Sequence, residues 1–213
     1  MHIIGLGKAG CNIAKIFSKF PQYHTIGIDT DENSDIKINE EADHEAYERS
    51  FPVIERLTEI TASDVTVVIC GAGRISGGIL RLLEQLKGNK ISIQYIQPDL
   101  ALLSEVQKQQ EKIVRNILQE YEQIILIDNL EVEKGLGGIP ITEFYTVLNQ
   151  AIVNTLHMIN VFRNSEAIIG NFINPSELSR VATVGILDVE KGEEKWFFPL
   201  TNPRDVVYYY GIN

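Results

Sequence analysis

Residues 64–78 read DVTVVICGAGRISGG, and the fold turns on them. Val65, Val67, Val68 and Ile69 make a nearly continuous β-branched run, as expected of a strand covered on both faces. The run passes directly into Gly71-Ala72-Gly73-Arg74-Ile75-Ser76-Gly77-Gly78, and residues 77–86 then take a helical pattern. Glycines at a strand-to-helix junction let the backbone approach a ligand closely. The unpaired N–H groups and partial positive charge of the helix start favour an anion there.

The amino terminus repeats this arrangement. His2–Gly5 is a short strand, Gly5-Leu6-Gly7-Lys8-Ala9-Gly10 spells G-x-G-x-x-G, and Cys11–Phe20 is helical with Ile13, Ile16, Phe17 and Phe20 on one face. Thr25–Asp29, Ile91–Gln97 and Gln123–Asp128 predict further strands. Phe51–Thr61, with Val53, Ile54, Leu57 and Ile60 spaced as one face, and Leu103–Tyr121 predict helices. Asp31–Ser50 is acidic and weakly patterned, a loop with one helical turn at most. Buried strands alternating with helices predict a doubly wound, mostly parallel α/β sheet.

The pattern breaks at the glycine-rich stretch 135–140, after which Ile141–Arg163 predicts one long central helix. Residues 164–213 are too few for another α/β domain. They predict a turn or short helix near Pro175–Arg180, then strands Ala182–Glu190 and Lys195–Leu200 with Lys191-Gly192 between them. The expected organisation is a Rossmann-like nucleotide-binding domain at 1–140, the central helix at 141–163, and a short C-terminal β appendage at 164–213. Trp196, Phe197, Phe198 and Tyr208-Tyr209-Tyr210 supply apolar area that is expected to pack the appendage on the main domain, the alternative being an assembly surface.

With 213 residues, 44% of them hydrophobic, the chain can bury one full core. A net charge of −10 argues against nucleic acid or an anionic membrane as partner. Cys11 and Cys70 give no disulfide framework, and His2, His24, His44 and His157 stand at no metal-ligand spacing, so no metal site is expected. No apolar run is long enough to span a bilayer and no signal peptide precedes the first strand; the expectation is a cytoplasmic protein.

Two glycine loops on one sheet edge suit a polyphosphate held between two helix starts. A dinucleotide reading competes. Asp29 ends the second strand about twenty residues after the first loop, where it would hold a ribose hydroxyl in an NAD-dependent oxidoreductase. That reading lacks a His or Lys at a strand end to act as catalytic acid or base.

The ordered series of loops resembles the tubulin/FtsZ superfamily over roughly residues 1–180. Gly5 to Asn12 is similar to that family's first nucleotide loop, a glycine-rich turn ending in asparagine. Ile28-Asp29-Thr30-Asp31 resembles its second-strand ending, hydrophobic-Asn-Thr-Asp. Gly71 to Gly77 resembles its signature G-G-G-T-G-[ST]-G, Tyr95-Ile96-Gln97-Pro98 its strand before the ribose-contacting loop, and Ile127-Asp128-Asn129 its strand-ending asparagine loop. The resemblance implies a nucleotide site built from Gly7, Lys8, Ala9, Gly10, Cys11, Asn12, Asp29, Gly71, Ala72, Gly73, Arg74, Ile75, Ser76, Gly77, Glu105 (with Lys108 nearby) and Asn129. On the central helix, Tyr145 and Asn149 have the i, i+4 spacing of the family's base-stacking ring and base-pairing amide. Asn174 and Glu177 occupy the places of the acidic residues that orient the attacking water on a neighbouring subunit. The ligand so implied is GTP or GDP with Mg2+, and the partner a second copy in a homo-oligomer or filament.

Four departures weaken the catalytic side, one being that Asn174 stands in an acidic place and leaves Glu177 as the single carboxylate there. Arg74 and Ile75 replace Thr and Gly in the signature, and a β-branched residue resists conformations glycine accepts. Arg74 either donates to phosphate oxygens or stands in solvent. Glu40-Glu41-Ala42-Asp43-His44-Glu45, where the family senses the γ-phosphate, is acidic and free of glycine. The second family domain does not fit in the residues after Arg163. The expectation is therefore a GTP-binding protein with weak or absent GTPase activity. The alternatives are the oxidoreductase and a tubulin-like protein acting only through protein contacts.

Overall fold

The computed structural model describes residues 1–121, 123–136, 140, 142–164, 180–203 and 206–208. Among them the chain runs β1 (His2–Leu6), α1 (Gly7–Phe17), β2 (His24–Asp29), β3 (Ile36–Lys37), α2 (His44–Ser50), α3 (Glu55–Thr58) and β4 (Asp64–Ile69). A 3-10 turn (Arg74–Gly78) leads into α4 (Ile79–Gln85) and β5 (Lys90–Gln97). A second 3-10 turn (Leu100–Leu102) precedes α5 (Glu105–Leu118), β6 (Ile124–Asp128), α6 (Asn129–Leu136), α7 (Phe144–Asn164), β7 (Val181–Ala182), β8 (Gly185–Asp188) and β9 (Glu193–Trp196).

The main sheet has the order β3-β2-β1-β4-β5-β6-β7, and all its pairings are parallel. Period-two alternation sends Ile4, Leu6, Val65, Val67, Ile69, Ile93 and Tyr95 to one face, where they pack with Leu57, Leu82, Leu83, Val114 and Leu118 of α3, α4 and α5. Ile3, Val68, Ile96 and Ile127 go to the other, against Ile13 and Phe17 of α1 and Leu148, Ile152, Val153 and Leu156 of α7. The expected doubly wound α/β sheet is thus observed, with a long helix on one face and the short antiparallel pair β8–β9 after it. From β1 the chain crosses on the α1 face to β2, and from β4 on the α4 face to β5. The switch between the two directions lies at the carboxyl ends of β1 and β4, where open α/β sheets form their ligand crevice.

Several boundaries differ from expectation for identifiable reasons. The helix expected over Phe51–Thr61 is confined to α3, because Pro52 holds Phe51 extended (φ −56°, ψ 121°). Val53 is consequently exposed while Ile54, Leu57 and Ile60 are buried. The acidic loop after Asp31 contains β3 and α2, the latter capped by the Asp43 carboxylate accepting from Ala46 N–H at 2.8 Å. The tract expected as one strand over Ala182–Glu190 is divided into β7 and β8. β7 extends the main sheet beside β6, whereas β8 pairs with β9 across a turn that uses Gly192 at φ +67°. Of the C-terminal aromatics, Phe197 is buried in the second core and Phe198 packs on the first, whereas Trp196 and Tyr208 are substantially exposed. Tyr209, Tyr210 and the turn expected at 175–179 lie outside the described residues. Among the described residues no helix is long and apolar enough to cross a membrane.

Candidate functional site

Both glycine loops leave the carboxyl ends of adjacent strands, β1 and β4, and they touch. Gly7 takes φ +72°, a left-handed conformation that suits glycine, and a Cβ built on it would lie 2.7 Å from Cγ2 of Ile75. Gly10 sits under the loop, against the Val68 carbonyl and the backbone of Gly5, and anchors α1 to the sheet. Lys8 and Asn12 are exposed on α1, with Ala9 half-buried between the loops and the helix surface.

In the second loop the glycines serve packing to an extent that spacing alone does not reveal. Gly71 abuts the Tyr95 hydroxyl, Gly77 the His44 carbonyl and Gly78 the Phe51 ring; only Gly73 has room, its nearest neighbour being Ile75 at 3.8 Å. Ala72 is buried. The Ser76 hydroxyl donates toward the carbonyls of Gly71 (2.9 Å) and Gly73 (2.7 Å), bracing the turn from inside. Arg74 is exposed at the surface, where its guanidinium turns toward the segment before α2. It pairs with Glu40 at 2.7 Å and donates to the carbonyls of Glu41 and Ala42.

Asp29 closes β2 and accepts from Thr30 N–H at 2.8 Å. Asp35 accepts from Gly27 N–H at 2.7 Å, and Cys11 lies over Gly27 with its thiol directed to the Gly5 carbonyl. Burial, with the charges of Asp29 and Asp35 added, pushes the Cys11 thiol up to about 12. The thiolate fraction falls more than its intrinsic nucleophilicity rises, so iodoacetamide should alkylate native Cys11 at pH 8 roughly fiftyfold more slowly than unfolded protein. Mass spectrometry of tryptic peptides over a time course reads this directly.

Farther along the same sheet edge, β6 ends at Asp128, whose carboxylate accepts from Gln97 Nε2 (2.8 Å) and from Leu130 N–H (2.8 Å). Burial raises the Asp128 carboxyl above the usual range, although these bonds oppose the shift. Beside it, the Asn129 Oδ1 is buried with no hydrogen-bond partner among the described residues. Such an orphaned acceptor is uncommon in a folded interior and calls for a donor, from a ligand or an ordered water; His2 Nδ1, His44 Nε2 and Gln94 Oε1 share this state among the described residues.

α7 packs on α1 along its apolar face, and that contact sets the orientation of Tyr145 and Asn149. Tyr145 is 62% exposed and Asn149 half-buried one turn on, beside the buried Leu148. Glu105, in the first turn of α5, pairs with Lys108 at 2.7 Å on the outer surface. Asn174 and Glu177 lie outside the described residues. A cleft of about 580 Å3 lined by His2, His24 and Arg56 lies at the opposite, amino ends of β1 and β2, away from both glycine loops.

Sequence reasoning missed the support behind the second loop. The Tyr95 hydroxyl donates to the Glu111 carboxylate at 3.0 Å, Glu111 is 2% exposed, and Arg115 Nε closes the pair at 2.9 Å. The signal was present: Glu111 falls three and seven residues before Val114 and Leu118, on the apolar stripe of α5, where a carboxylate needs a buried partner.

No protein-family model and no curated protein matches the sequence. Solved structures do match. CetZ2 from Haloferax volcanii, solved as a GTPγS-bound protofilament, is 17% identical over 78% of this chain and 60% of its own, with a TM-score of 0.60. CetZ from Methanosaeta thermophila is 16% identical over 79% of this chain and 56% of its own, at 0.61. An FtsZ variant from M. jannaschii is 15% identical over 86% of this chain and 64% of its own, at 0.62. The chain spans between 56% and 64% of the length of these three structures. It has the tubulin/FtsZ-type fold.

Proposed function

We propose that the chain is a guanine-nucleotide-binding protein with weak or absent GTPase activity, and that copies of it self-assemble. The observation that carries this is the meeting of two glycine loops at the switch point of the sheet, with the orphaned Asn129 acceptor at the carboxyl end of β6 on the same sheet edge. The residues fit the base end of such a ligand better than its phosphate end. Asn149 offers both a donor and an acceptor to a purine edge, and the exposed Tyr145 ring offers a stacking surface. At the phosphate end, the free N–H groups of α1 face a seam that Ile75 enters and an arginine already committed to Glu40. Among the described residues no group of three His, Cys, Asp or Glu could hold a metal, so Mg2+ would enter with the phosphates.

Self-assembly and a water-orienting role for Asn174 and Glu177 belong to the same proposal. Its motivation is that the similar CetZ2 structure is a GTPγS-bound protofilament. Identifying by chromatography any nucleotide that co-purifies, then titrating guanosine, GTP, GDP and NAD by calorimetry, tests it. Guanine ligands should bind, and Asn149→Ala should weaken them about tenfold by removing the paired hydrogen bonds to the base. Preference for NAD would make the protein a dinucleotide binder, and no binding at all would leave a fold used for protein contacts.

A further inference from the structure

The two glycine loops are joined by a side chain. The Ile75 Cγ2 methyl lies 2.7 Å from the Cβ position of Gly7 and 3.8 Å from that of Gly73, so the branched chain spans the seam between them. It is half-buried and packs against the first hydrophobic core, and its β-branch leaves little χ1 freedom. The turn presenting it is fixed on both sides. Ser76 binds the Gly71 and Gly73 carbonyls, and Arg74 is tied to Glu40 at 2.7 Å and to the carbonyls of Glu41 and Ala42. A phosphate between the loops would have to displace a held methyl from the Gly7 backbone.

We propose that Ile75 is a specificity-determining residue that keeps the phosphate chain out of the seam, so that the crevice recognises the nucleoside and gains little from a di- or triphosphate. Resting on the guanine reading above, this predicts a ligand preference opposite to that of a site built around a phosphate chain. The Arg74–Glu40 pair is solvent-exposed and adds little to the exclusion, which rests on Ile75.

Calorimetric titration of the full chain with guanosine, GTP and pyrophosphate decides it. Wild-type protein should bind guanosine and GTP within about threefold of one another and should not bind pyrophosphate. Ile75→Gly, and to a lesser degree the milder Ile75→Ala, should strengthen GTP at least about tenfold relative to guanosine measured on the same variant. The wild-type comparison needs no variant to fold. GTP binding wild type far more tightly than guanosine overturns the inference and leaves the guanine reading intact, as does an absence of gain in both variants. Pyrophosphate binding gained on Ile75→Gly, in a protein that takes no guanine ligand, supports the wedge and sinks the base reading. Binding of none of the three probes to any form overturns both.

Discussion

Gly10→Ala is expected to lower the free energy of unfolding by about 3 kcal/mol or more, read as a fall in the urea midpoint at unchanged slope. The added methyl would sit 2.4 Å from the Val68 carbonyl and 3.0 Å from the Gly5 carbonyl carbon. Neither can yield. Val68 belongs to β4, bonded on one side to β1 and on the other to β5, and Gly5 belongs to β1, bonded to β2 and β4. The only relief is to lift α1 off the sheet, which separates Ile13 and Phe17 from the second core. Gly73→Ala supplies the contrast. Its methyl would meet only Ile75 at 3.8 Å and its backbone is ordinary (φ −82°), so stability should stay within about 0.5 kcal/mol of wild type. Equal losses in the two variants would mean that α1 sits on the sheet less tightly than described.

That contrast marks how far the sequence could be read. The longer strands β1, β2, β4, β5 and β6 were legible because their residues are largely apolar on both faces, as in Val65 to Ile69; the two-residue β3 and β7 were not. α2 was not, since only Tyr47 of its seven residues is buried and the rest read as an acidic loop. α6 also went unread. It carries a glycine, Gly135, and buries only Val132. At the candidate site, spacing alone placed Tyr145 and Asn149 on one helix and the two loops on one edge. It could not say where a side chain points. Arg74 was open between phosphate and solvent, and the structure places it at the exposed surface, paired with Glu40. Ile75 was expected to alter the loop's path; its larger consequence is contact with the other loop, a relation between residues 68 positions apart that no local pattern encodes.

Arg115→Met should cost about 3–5 kcal/mol, because it strands a carboxylate that the fold has already removed from water. Glu111 is 2% exposed and its Oε1 receives both the Arg115 guanidinium at 2.9 Å and the Tyr95 hydroxyl at 3.0 Å. Without the arginine, one neutral donor remains to a buried charge. The damage should spread to the second glycine loop, since the Tyr95 hydroxyl is also what Gly71 packs against. Glu111→Leu combined with Arg115→Met separates the charge from the packing. Tyr95 keeps the Glu111 backbone carbonyl as acceptor at 3.2 Å, so removing both ions should return much of the lost stability. A double variant as unstable as Arg115→Met alone would show that the pair holds α5 through its specific geometry rather than by cancelling a buried charge. In that event guanosine affinity should fall in both variants, because α5 and the second loop would then move together through Tyr95.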